Sequence, residues 1–68
     1  MRRDDLIRTL RAYARERNLR FEVDTRKGKG SHYRVRLGDR VTTVQYGELS
    51  PVHVMRICKQ LAVEPHDL

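Results

Sequence analysis

Two stretches of alternating apolar and polar residues, 32–37 and 40–46, are separated only by Gly38-Asp39. That spacing commits the middle of the chain to a hairpin. Glycine at the first central position of a two-residue turn tolerates the positive φ such turns demand. The turn then fixes the register: Leu37 opposite Arg40, Val35 opposite Thr42, Tyr33 opposite Val44. Side chains alternate across a strand, so Tyr33, Val35 and Leu37 share the inward face. His32, Arg34, Arg36, Val41, Thr43 and Gln45 share the other.

The remaining segments supply what this hairpin needs to become a domain. Residues 19–25 alternate again, with Leu19, Phe21 and Val23 on one side and Arg20, Glu22 and Asp24 on the other, predicting a third strand. Residues 3–17 place Leu6, Ile7, Leu10, Tyr13 and Ala14 at helical spacing. Asp4 and Asp5 suit the positive end of that helix, with Asp4 as the expected cap, and Asn18 suits its left-handed end. Ser50-Pro51 opens a second helix, serine as cap and proline in the first turn. Its apolar face is read as Val54, Met55, Cys58, Leu61 and Ala62, and Pro65 blocks its extension. The predicted fold is α+β, in the order α-β-β-β-α. Two helices cover one face of a three-stranded antiparallel sheet, and the other face stays open. Residues 1–68 form a single domain; so short a chain accommodates one small core.

Cys58 is the sole cysteine, which excludes an internal disulfide, and no Cys/His cluster has zinc spacing. No apolar run is long enough for a signal peptide or for the ~20 residues of a membrane span. The chain reads as cytoplasmic, with no membrane association and no cofactor. Its formal net charge of +6 favours a polyanionic or acidic partner.

The basic charge is densest between positions 26 and 36, RKGKGSHYRVR, where Arg26, Lys27, Lys29, Arg34 and Arg36 surround His32 without an acidic residue. Lysine and arginine concentrate a phosphate backbone by Coulomb attraction and counterion release. Histidine, as a residue type, exchanges protons near neutral pH. Together they point to RNA binding and RNA cleavage: a neutral imidazole takes the proton of a ribose 2′-hydroxyl as it attacks the adjacent phosphate. His32 is therefore the candidate catalytic residue. Lys27, Lys29, Arg34 and Arg36 are the phosphate contacts, set against the plainer reading of a solvated charged face. Gly28 and Gly30 fit turn geometry; a P-loop is excluded, because the upstream glycine is missing and a strand follows. Tyr33 is read as core. Cys58 is read as a buried hydrophobe, and His53 and His66 as non-catalytic. The carboxylates are read as scattered, with no pair suited to metal-dependent hydrolysis.

This order of elements resembles the double-stranded RNA-binding-domain fold. More narrowly, the chain resembles the HicA family of mRNA-cleaving toxins. The likeness rests on Leu6-Ile7-Arg8, Lys29-Gly30-Ser31-His32, Val41-Thr42-Thr43-Val44, Glu48-Leu49-Ser50-Pro51 and Arg56-Ile57-Cys58-Lys59-Gln60-Leu61. It implies a metal-independent endoribonuclease (an mRNA interferase) of a toxin–antitoxin system that acts in stress responses. His32 would be the catalytic base, and Gly30 and Ser31 would join Lys27, Lys29, Arg34 and Arg36 in RNA binding. It also implies mRNA as substrate and a cognate HicB-like antitoxin occluding His32; the free toxin is read as a monomer. The chain departs from the family pattern at Gln45-Tyr46-Gly47, where many members carry proline and a histidine, so no family role is assigned there. The alternative reading is a non-catalytic double-stranded RNA-binding module.

Overall fold

In the computed structural model, which describes residues 1–26 and 32–68, the chain runs α1 (Arg3–Glu16), β1 (Phe21–Asp24), β2 (Tyr33–Leu37), β3 (Arg40–Val44) and α2 (Pro51–Gln60). A short 3₁₀ turn, Pro65–Asp67, follows. The sheet is antiparallel in the order β1-β2-β3. The hairpin register is the expected one, with Leu37 opposite Arg40, Val35 opposite Thr42 and Tyr33 opposite Val44. Gly38 sits at φ +63°, the left-handed region that makes glycine the fitting residue there.

Both helices press their apolar faces on the same side of the sheet. Leu6, Leu10 and Ala14 from α1 meet Val35, Leu37 and Val44, and Ile57 and Cys58 from α2, with Leu61 just past its end, close the core. Full burial of each larger aliphatic side chain stabilises the fold by about 1.5–3 kcal/mol. Thr42 also faces inward, and its hydroxyl hydrogen-bonds Gln60 Oε1 at the end of α2. Burial pushes the Cys58 thiol above its usual range, as expected of a cysteine acting as a small hydrophobe.

Several local expectations are corrected. Asp4 does not cap α1. Arg2 precedes the helix and forms an antiparallel bridge with Glu48. The Arg3 N–H donates to the Gly47 carbonyl at 3.0 Å, and the Leu49 N–H to the Met1 carbonyl at 2.7 Å. Backbone carbonyls thus take up the first donor of the helix, where the sequence had suggested a side-chain cap one residue later. The first strand begins at Phe21, not at Leu19, because Leu19 closes the helix. Its N–H donates to the Ala14 carbonyl at 2.8 Å around a left-handed Asn18. The third strand stops at Val44, short of Tyr46.

The second helix starts as expected, with Ser50 Oγ accepting from the His53 N–H at 3.2 Å. Its buried face is rotated from the predicted one. Met55 and Ala62 are exposed, and Ile57 is fully buried. Ala62 instead takes φ +59° and ends the helix, with the Val63 N–H donating to the Cys58 carbonyl at 2.8 Å. Among the described residues no helix is long and apolar enough to cross a membrane.

Candidate nucleic-acid interface

Strand alternation sends one set of side chains into the core and leaves the other on the uncovered face of the sheet. His32 immediately precedes β2, in phase with Arg34 and Arg36, and is exposed. Arg34 is exposed and Arg36 half-buried. Lys27, Lys29, Gly30 and Ser31 lie outside the described residues, as does Gly28. The structure therefore brings together His32, Arg34 and Arg36 out of the predicted set.

The open face is not uniformly basic. Pairing of β1 with β2 sets Glu22 opposite Arg36 and Asp24 opposite Arg34. Arg36 Nε lies 3.8 Å from Glu22 Oε1, and Arg20 reaches the other Glu22 oxygen at 3.0 Å. Asp24 Oδ1 accepts from the Arg26 N–H at 2.9 Å, with Arg26 Nε at 3.7 Å. Glu22, Asp24, Arg34, Arg36 and Val41 line one shallow depression of about 230 Å³. The carboxylates read as scattered along the chain are here gathered in pairs with arginines. At distances of 3–4 Å in a half-exposed setting, such pairs reduce the local positive potential while adding little stability, about 0–1 kcal/mol each.

No family model, curated protein or solved structure matches this chain. The chemistry of the site therefore rests on its own residues. Among the described residues, no group of three or more His, Cys, Asp or Glu side chains is arranged to hold a metal ion. His53 Nδ1 is 3.5 Å from Gln45 Nε2, a contact that draws Gln45 from the open face toward α2. His66 lies in the tail, 3.4 Å from Asp67 and 3.8 Å from Glu64.

Sequence reasoning missed a cluster at the end of the sheet where His32 stands. The Arg3 guanidinium lies 3.6 Å from the centroid of the Tyr33 ring and 4.9 Å from that of Tyr46. Arg3 is 6% exposed, and its Nε is 3.9 Å from Asp4 Oδ1. The aromatic faces accommodate the buried cation through their quadrupoles, an interaction of about 0.5–2 kcal/mol per ring. Arg3 looked like an ordinary helix-start residue; no periodic signal links it to tyrosines so distant in sequence.

Proposed function

We propose that this protein is a metal-independent endoribonuclease that cuts mRNA with His32 and acts as the toxin of a HicA-like toxin–antitoxin pair. The observation that supports it is one exposed imidazole at the head of β2, with Arg34 and Arg36 following in the same strand phase on the uncovered face of an α-β-β-β-α domain. In this reading the neutral His32 imidazole accepts the 2′-hydroxyl proton. The 2′-oxygen attacks phosphorus, the bond to the 5′-oxygen breaks, and that oxygen leaves with a proton from water or the imidazolium. The products are a 2′,3′-cyclic phosphate and a 5′-hydroxyl. Arg34, Arg36 and the cations at positions 27 and 29 offset the charge growing on the phosphate oxygens. Gly30 and Ser31 complete the RNA contacts.

Silencing by a HicB-like antitoxin belongs to the same proposal. An exposed catalytic group on a small domain is switched off by covering it, and a chain of net charge +6 attracts an acidic partner rapidly. A duplex-binding module is the poorer fit. It would carry cations at the start of α2, whereas Val52 and Met55 stand exposed there at 72% and 61%.

Induced expression of the wild type beside His32→Ala in a bacterium tests the reading. Growth arrest and loss of intact mRNA are expected with the wild type alone. The substituted chain should fold normally, since an exposed site costs within about 0.5 kcal/mol. A soluble His32→Ala variant that still arrests growth and degrades mRNA would refute the assignment.

A further inference from the structure

We propose that Tyr46, held from behind by Arg3 and Tyr33, is a stacking platform for an unpaired base of single-stranded RNA next to the phosphate at His32. This inference deepens the RNA-cleavage reading and rests on its placement of RNA at His32.

Three observations carry it. Tyr46 is 64% exposed, although one side of its ring faces a buried guanidinium. A ring whose only work was to cover Arg3 would gain most by burying itself, since aromatic side chains have a large apolar area to bury. The backbone that carries Tyr46 is also tied down. Gly47, at φ +92°, turns the chain sharply, and its carbonyl accepts from the Arg3 N–H at 3.0 Å. A ring carried on backbone already tied down loses less entropy on binding.

Its place in the molecule follows from the sheet. Tyr33, which His32 immediately precedes, pairs with Val44 at the end of β3, and Tyr46 lies two residues beyond that pair. The stack of Tyr33, Arg3 and Tyr46 therefore sits at the sheet end from which His32 projects. On the α1 side of Tyr33, an open groove of about 520 Å³ is lined by that ring, by Arg8 and Arg11 with the carboxylate of Asp4, and by Val23 and Thr25; Tyr46 lies on the other side of Arg3. Both arginines are exposed, Arg8 in an ion pair with Asp5. An aromatic face beside cations that can follow a sugar-phosphate chain is the composition of a single-strand binding path. Duplex RNA stacks its bases on one another and offers none to Tyr46, so the platform selects unpaired RNA.

The test uses full-length protein carrying His32→Ala, so that RNA survives the measurement. Binding of a short labelled single strand and of the same sequence as a duplex is followed by fluorescence anisotropy. Tyr46→Ala is expected to weaken single-strand binding by ~10- to 100-fold, with duplex binding unchanged. Tyr46→Phe should bind like the parent, because the ring rather than the hydroxyl acts. If Tyr46→Ala destabilises the fold, Tyr46→Leu covers Arg3 without an aromatic face and should show the same loss. Parental affinity in a folded Ala or Leu variant, equal losses for single strand and duplex, or no RNA binding by the parent would overturn the platform. The two readings fail separately. Cleavage that persists without His32 would refute the catalytic assignment and leave a Tyr46-dependent affinity standing. Cleavage that requires His32 alongside parental affinity in Tyr46→Ala would do the reverse.

Discussion

Ala62 shows how a single residue can take a role its type disguises. Helical spacing assigned it to the buried stripe of α2, yet it lies beyond the helix in the left-handed region, exposed. An L-residue with a Cβ is strained there by about 1–2 kcal/mol. Glycine would relieve that strain at an entropic cost of about 0.5–1 kcal/mol. Ala62→Gly should therefore stabilise the protein by roughly 0.5–1 kcal/mol, read from urea unfolding midpoints at unchanged slope; a lower midpoint would contradict the capping account. The corresponding position after α1 was legible, because Asn18 belongs to the few residues that tolerate this conformation. Gly38 was legible for the same reason. Alanine carries no such mark, and Arg3 gave no hint that its partners would be Tyr33 and Tyr46.

Among the elements, β1 changes the picture of the interface most. The turn and register of the β2–β3 hairpin could be read, though not where β3 ends, since the turn is local and the alternation clean. The pairing of β1 with β2 spans the segment 27–31, and nothing local sets that register. Glu22 and Asp24 therefore looked like isolated surface carboxylates until the sheet set them opposite Arg36 and Arg34. If RNA lies on this face, the two carboxylates oppose it. Glu22→Gln with Asp24→Asn should tighten RNA binding by roughly 3- to 10-fold at low salt, a gain that shrinks as ions screen the face. Titration of a labelled RNA at several salt concentrations measures it. Unchanged or weakened binding at low salt would place the RNA away from the sheet.

At the scale of the whole molecule, the α-β-β-β-α order followed from periodicity, whereas the core did so only in part, since Ile57 takes the place predicted for Met55 and Ala62. The bridge between the first residues and Glu48, which ties the start of α1 to the end of the sheet, did not. It joins backbone groups, which leave no trace in side-chain pattern. The site divides along the same line. His32, Arg34 and Arg36 were visible as one strand phase, whereas the counter-charges and the aromatic stack arise only from tertiary contact. A domain of 68 residues has a net stability of only ~3–10 kcal/mol, so a site on it has to rest on few groups already in place. The central claim is that a single imidazole performs the cleavage. Its most direct test is to incubate purified wild type and His32→Ala with a defined single-stranded RNA in excess chelator and identify the new ends by mass spectrometry. The account predicts 2′,3′-cyclic phosphate and 5′-hydroxyl ends from the wild type and intact RNA from the variant. Ends bearing a 5′-phosphate, or cutting by His32→Ala at the wild-type rate, would contradict it.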